Sequence, residues 1–403
     1  MKILVLTSTY SRWKNDTEPK FIDNLCQYLS QDNEIHVVAP HTRGIPTEET
    51  MEGIQVFRFR YCLEKWQTLA YDGGILPSLK ENRLRILLVP LFILGQLLLT
   101  IKLLRRNNYD VIHAHWIIPQ GLVALLVRPF AKTRPTVVLT SHGGDLFALK
   151  GGLLTRLKKW ITHRADHLTV VSSAMKTRAR ELDLGSEFGI TVIPMGVDSY
   201  GAFYPPLEGV NRQGLLFVGR LVDKKGIEYL IESMPQVLDQ HPDETLTIIG
   251  DGPLKQGLLD LCQTIGIEKR VNFLGSLVNL EIPAYLQASA ITIFPSVVTD
   301  SGDQEGTPVA VMEALACECA TIVSDYPGAR DIIKDRENGL LVAQKSPGQI
   351  AEKINFLLEN REIRQRLGKE GRLSVQQNYD WRVVSEKFIS LFQKLSHAGK
   401  PHK

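Results

Sequence analysis

PMGVDSYGAFYPPLEGVNRQG, residues 194–214, interrupts an otherwise regular chain. Three prolines and four glycines in this stretch read as a linker. Upstream of it, short runs rich in Val, Ile and Leu (2–7, 34–39, 110–114, 136–141, 167–171) alternate with helical patterns such as 20–30. Downstream the alternation restarts at 215–219 and continues at 245–250, 271–274, 291–294 and 321–324. Runs apolar on both faces and spaced by helices imply parallel sheets covered on both sides. The expectation is α/β: two Rossmann-like domains, 1–195 and 214–378, joined by a linker at 196–213. An amphipathic helix at 379–397 follows, with Trp381, Val384, Phe388 and Phe392 on one side. It either packs on the second domain or crosses back to brace the first. In open parallel sheets ligands bind beyond the carboxyl ends of the strands, so chemistry is sought in the loops there.

The 403 residues suit two or three domains, and 44% hydrophobic with 23% charged residues excludes a disordered, collagenous or coiled-coil chain. The net charge of +3 is too small for a nucleic-acid binder by charge alone, so no nucleic-acid partner is expected. The charge is unevenly spread. Residues 1–200 carry 25 Lys/Arg against 18 Asp/Glu, a net of +7, and the remainder 22 against 26, a net of −4. The first half therefore faces something anionic. Five cysteines without metal-like spacing, and no secretory leader at MKILVLTSTY, point to a reducing, cytoplasmic compartment.

One run stands apart. ILLVPLFILGQLLLTIKLL, residues 86–104, is apolar except for Gln96, Thr100 and Lys102. It barely reaches the length of a membrane span and is read as a buried or surface-lying helix. Arg83, Arg85, Lys102, Arg105 and Arg106 flank it. That fits a helix lying on an anionic inner-membrane surface, or an ordinary helix of the first domain.

The richest chemistry lies in GDQEGTPVAVMEALA, residues 302–316. A glycine-containing turn leads into a helix opening at Pro308, whose missing N–H costs nothing there. Backbone N–H groups of Gly306 and Thr307 at a helix start suit a phosphate. Glu305 and Glu313 can look into one cleft at different depths, where carboxylates accept hydrogen bonds from sugar hydroxyls. A plain capped helix with acidic residues gives the same local pattern. In FVGRLVDKKG, residues 217–226, a strand ends and the loop from Gly219 at once carries Arg220 and Lys225. Two such cations can hold a diphosphate and stabilise its charge as it leaves, without a metal. Lys224 reads as solvated surface charge. TSHGGD, residues 140–145, puts His142 beside two glycines at a strand end, where backbone and substrate can approach closely. Asp145 and His115 are weaker candidates on the same side. His113 and His115 are taken to alternate across their strand, so that one of them faces the ligand. No carboxylate or cysteine accompanies them at ligand spacing, so no metal is expected. There is no G-x-G-x-x-G after the first strand, no P-loop and no G-x-S-x-G.

Together these segments resemble glycosyltransferase family 4, retaining nucleotide-sugar transferases of the GT-B fold. The E-x7-E pair at Glu305 and Glu313, with the Gly219-Arg220…Lys225-Gly226 segment, carries the likeness, which runs nearly end to end. The resemblance implies two domains facing across a cleft, the second holding the donor and the first the acceptor, with the C-terminal helix crossing back. It implies Arg220 and Lys225 on the donor diphosphate, Glu305 on the transferred sugar and Glu313 on the ribose. Gly306 and Thr307 would offer N–H groups, and His142 would stand beside the reacting sugar. The acceptor would attack on the face the diphosphate leaves, with no metal and no cofactor beyond the nucleotide sugar. The expected acceptor is a glycan or lipid-linked sugar of the cell envelope. Two departures stand out: STYSRWKNDTEPK (8–20) replaces the paired glycines after the first strand, and DYPGAR (325–330) lacks the usual double glycine and glutamate. The alternatives are an epimerase or phosphorylase on the same fold, or a catalytically silent binding subunit.

Overall fold

A computed structural model describes residues 1–398, except 14, 15, 17, 19, 72, 186–188, 208, 279 and 301. Any donor contact by the 8–20 loop at positions 14, 15, 17 and 19 lies outside the described residues. The chain forms two compact units, Met1–Pro194 with Val384–Lys403, and Met195–Val383.

The first unit is built on β1 (Lys2–Leu6), β2 (Glu34–Pro40), β3 (Glu48–Met51), β4 (Ile54–Phe59), β5 (Val111–His115), β6 (Thr136–Ser141), β7 (His167–Val170) and β8 (Ile190–Val192). Their order is β3-β4-β2-β1-β5-β6-β7-β8, parallel except for the antiparallel β3–β4 pair. Ile3, Leu4, Val5, Val37, Ile112, Val137 and Leu139 are fully buried, which is why the central strands read as unbroken apolar runs. The β3–β4 pair had no such signal. Its edge strand, EETM, is polar and half-exposed.

The second unit is a parallel sheet of β9 (Leu215–Val218), β10 (Leu246–Ile249), β11 (Val271–Gly275), β12 (Ile291–Phe294), β13 (Ala320–Ser324) and β14 (Leu340–Val342). Its order is β11-β10-β9-β12-β13-β14. Phe217, Ile248, Ile291, Ile293 and Ile322 from the sheet pack with Ile227, Leu230, Ile231 and Met234 of the Ile227–Gln240 helix. Because β9 and β12 are neighbours, the loops after them, which carry Lys225 and Glu305, leave the same edge side by side.

The C-terminal helix, Trp381–Ala398, begins in the second unit, where Trp381 is 1% exposed and packs on the face of Gly196. From Val384 it belongs to the first unit. There Phe388 and Phe392 pack on the ring of His113, at 5.1 and 5.3 Å between centroids.

Candidate active site

In the second unit the loops are drawn together by backbone. Lys224 O accepts from Val297 N at 2.9 Å, tying the turn after β9 to the end of β12. A Cβ at Gly226 would lie 2.2 Å from the Pro295 carbonyl oxygen, and one at Gly250 only 1.9 Å from that of Gly219. Glycine is therefore required for these strand ends to meet so closely. Gly219 in turn faces the end of the Lys225 side chain, with an ideal Cβ 3.6 Å from Nζ.

Lys225 is the hub. Its Nζ lies 3.2 Å from Glu305 Oε2, both side chains being largely buried at 15% and 13% exposure. Burial pushes the Glu305 carboxyl up, but the ammoniums of Lys225 and Lys224 outweigh it and hold the group below the ordinary glutamate range. Glu313, in the Val309–Ala316 helix, is driven by burial up to about 7, partly offset by the charge of Lys225. One cation thus faces two carboxylates in different states. Arg220 is exposed and forms no ion pair among the described residues, so its fork of donors is open to an anion. Pro308 stands at the N-cap of the Glu313 helix, one position ahead of the helical start assigned to it from sequence. Gly306 is clamped from below: a Cβ at Gly328 would come within 2.7 Å of the Gly306 carbonyl oxygen. Thr307 lies in the same turn, half-buried.

Lys224 corrects the sequence reading. It is not a solvated charge but bridges Asp303 at 3.5 Å and Glu305 at 3.7 Å. Tyr326 was not anticipated at all. It is buried, its hydroxyl pushed well above the usual range by burial and then by the charge of Glu305. A tyrosine two residues past a strand end was the only hint. Arg330 pairs bidentately with Asp325 at 2.6 Å, which is what the departing DYPGAR segment does here.

In the first unit His142 follows β6. Its Nε2 lies 2.9 Å from His115 Nδ1, and the two rings are stacked with an interplanar angle of 16°. Phe21 and Trp116 flank it at 4.9 and 5.1 Å. His113 touches His115 at 4.3 Å and shares Nε2 with Thr140 Oγ1 at 2.7 Å. The reading that these two histidines alternate across the strand is corrected: residues two apart share a face, and both rings lie on it. Of the three, His113 and His115 are fully buried while His142 is half-exposed. Burial holds His113 and His142 down to about 3 and His115 well below its ordinary value, with the adjoining rings adding to the effect at His113 and His115. The trio is therefore neutral at physiological pH, and His142 is its one face to solvent.

Asp145 is 2% exposed and spends both oxygens locally. It accepts from Ser141 Oγ at 2.6 Å and from Ile117 N at 2.7 Å, stapling the loops after β5 and β6 together. Gly143, at φ 106°, makes the left-handed turn that returns the chain to this staple. His142 and His115 are thus brought together, and Asp145 shapes the turn that presents them. Among the described residues no group of His, Cys, Asp or Glu is arranged to hold a metal ion.

Two family models match this chain: Glycosyltransferase Family 4 over residues 20–199 and Glycosyl transferases group 1 over 207–374. The chain is a family 4-like glycosyltransferase. An uncharacterised glycosyltransferase of Methanocaldococcus jannaschii is 26% identical to it over 304 residues, 71% of this chain and 76% of that one. A UDP-Gal:alpha-D-GlcNAc-diphosphoundecaprenol alpha-1,3-galactosyltransferase of Escherichia coli is 28% identical, over 60% of this glycosyltransferase and 64% of its own length. Among solved structures, the sucrose-phosphate synthase of Thermosynechococcus elongatus superposes with a TM-score of 0.77 at 20% identity, covering 99% and 100% of the two chains. That last likeness is one of fold, and the fold is GT-B. A putative colanic acid biosynthesis glycosyltransferase of Escherichia coli, 26% identical over 71% of each chain, and the galactosyltransferase together support a role in glycan or cell-envelope synthesis.

Proposed function

We propose that this glycosyltransferase moves a sugar, with retention of anomeric configuration and without a metal, from a nucleotide-diphosphate sugar to a glycan or lipid-linked acceptor in the cytoplasm. The observation that carries the reading is Lys225, placed 3.2 Å from Glu305 and within electrostatic reach of Glu313, with Arg220 unpaired on the same loop. Lys225 and Arg220 suit the diphosphate, as charges already in place where negative charge builds on the leaving group. Glu305, ionised, accepts hydrogen bonds from the transferred sugar, and Glu313 from the ribose. Neutral His142, backed by His115, offers one nitrogen to the reacting sugar or its acceptor. The Escherichia coli relative, named for a UDP-Gal donor and a diphosphoundecaprenol acceptor, supports both substrate classes.

The test has two parts. A thermal-shift panel of UDP, GDP and their sugars identifies the donor, since a ligand that binds only the folded state raises its stability. The anomeric configuration of the product is then read by NMR. An inverted product overturns the retaining assignment. Consumption of a nucleotide sugar without any glycoside product, or turnover only with inorganic phosphate, favours an epimerase or a phosphorylase instead.

A further inference from the structure

The Leu88–Arg106 helix is amphipathic the wrong way round for a soluble protein. Its inward face is partly polar: Gln96 and Thr100 are fully buried beside Phe92, Leu103 and Leu104. Gln96 Nε2 donates to Thr7 O at 3.3 Å, and Thr100 Oγ1 donates to Gln96 O at 2.6 Å. Gly95 seats the helix against the Arg60 carbonyl, where a Cβ would come within 2.7 Å. The helix is therefore held in the fold along its length. Its outward face carries Leu91, Leu94 and Leu98, exposed by 44, 50 and 59%, and the 3-10 turn Arg83–Leu87 ahead of it extends this leucine stripe with Leu84 and Leu87, exposed by 74 and 71%. The stripe continues, at the same spacing, into Lys102 and Arg105.

Cations stand at both ends. Arg83 begins the turn that leads into the helix, and Lys102, Arg105 and Arg106 end it, none in an ion pair among the described residues. Arg105 lies over the exposed ring of Phe130 at 5.7 Å, with exposed Lys132 and Arg134 just beyond. Glu81, the acid just ahead of the stripe, is taken by Arg85 at 2.6 Å.

We propose that this leucine face lies on an anionic phospholipid bilayer and delivers a membrane-held acceptor to the His142 turn. The leucines enter the acyl boundary while the cations at both ends meet headgroup phosphates. A helix of this length runs about 28 Å along the surface. Self-pairing of the face is opposed by the same charges, because either orientation of two such helices brings cationic end against cationic end. The face also leads to the acceptor loop. The Ile75–Glu81 helix immediately precedes it, and Leu76 Cδ1 lies 3.9 Å from an ideal Cβ on Gly144, two residues after His142. The delivery step rests on the reading of the acceptor as lipid-linked.

The experiment is sedimentation of the full chain with vesicles of phosphatidylcholine, alone or mixed with phosphatidylglycerol, across a salt series. The wild type should pellet with the mixed vesicles and be released as salt rises, since surface charge is screened over about 8 Å at physiological ionic strength. L87S/L91S/L98S changes only exposed or surface-facing positions and should lower partitioning about tenfold or more. K102E/R105E should abolish the preference for anionic lipid. A UDP thermal shift retained by both variants shows that they are folded and keeps the donor site out of the comparison. A wild type that shifts with neither UDP nor GDP would count against the nucleotide-sugar donor reading, not against lipid docking. Equal pelleting of wild type and variants, indifference to anionic lipid, or a leucine-dependent dimer that ignores vesicles would each overturn the proposal. So would association released by detergent alone, the behaviour of a spanning helix.

Discussion

Replacing Lys225 by alanine removes the cation that, among the described residues, faces both Glu305 and Glu313. At 3.2 Å and an effective dielectric near 20, the gross attraction between Lys225 and Glu305 is about 5 kcal/mol. Lost hydration of both groups takes back most of it. Lys224, 3.7 Å from Glu305, still partners the carboxylate in the variant. The free protein should therefore lose only about 1 kcal/mol of stability. The catalytic loss is larger, because the diphosphate gains charge as it leaves and the missing ammonium is felt most at that point. A loss of about 2–4 kcal/mol in transition-state stabilisation, roughly 30- to 1000-fold in kcat/KM, is the expected outcome. The assay is initial-rate transfer from a labelled nucleotide sugar, with a melting curve on the same sample. Lys225→Arg keeps the charge but not its compact placement and should fall in between. Turnover by Lys225→Ala within a few-fold of wild type, with the fold intact, would falsify the assignment of this lysine to the leaving group.

Other outcomes follow from the same geometry. Glu313 titrates at about 7 in the folded chain against an ordinary 4.5, so the folded state keeps a proton that the unfolded chain has released. Stability should therefore fall as pH rises from about 4.5 through 7, by at most about 3.4 kcal/mol, and Glu313→Gln should flatten that slope in a melting series. If Glu313 binds the ribose as an acceptor, donor affinity should rise over the same interval; affinity that is flat across it removes this residue from the site. Excess EDTA should leave transfer intact, because Lys225, Arg220 and the turn at Gly306 supply the positive potential; loss restored by Mg or Mn refutes that. Gly250→Ala drives a methyl into the Gly219 carbonyl and should cost several kcal/mol, or about 3 as a minimum, whereas Gly257→Ala, open on all sides within the Lys255–Thr264 helix, should stabilise by about 0.5–1 kcal/mol. Comparable melting points for the two glycine variants would contradict the close approach of β9 and β10 loops.

The sequence by itself determined the two parallel sheets. Strands such as β6 and β12 are buried on both faces, so each is built of β-branched and apolar residues, with hydroxyls hydrogen-bonded, and carries no charge; that is visible without neighbours. It also offered Lys225, Glu305 and His142 as candidates, because charged or titratable residues beside glycines at strand ends stand out against apolar runs, and Glu313 by its spacing from Glu305. Three of the four edge strands were not legible: β3 is polar, and β8 and β14 are three residues each, too short for a period to emerge, whereas the edge strand β11 was expected at 271–274. Only the tertiary structure decided which charges meet. Lys224 and Lys225 look alike in sequence, yet both reach Glu305, eighty residues on, because β9 and β12 are neighbours in the sheet. It likewise decided that Asp145 is a staple between two loops. Composition showed that residues 86–104 are apolar, but not that Gln96 and Thr100 would turn inward and the leucines outward. Hydrophobic pattern records how much surface a segment must hide; which side is hidden, and from what, depends on partners that are remote in the chain.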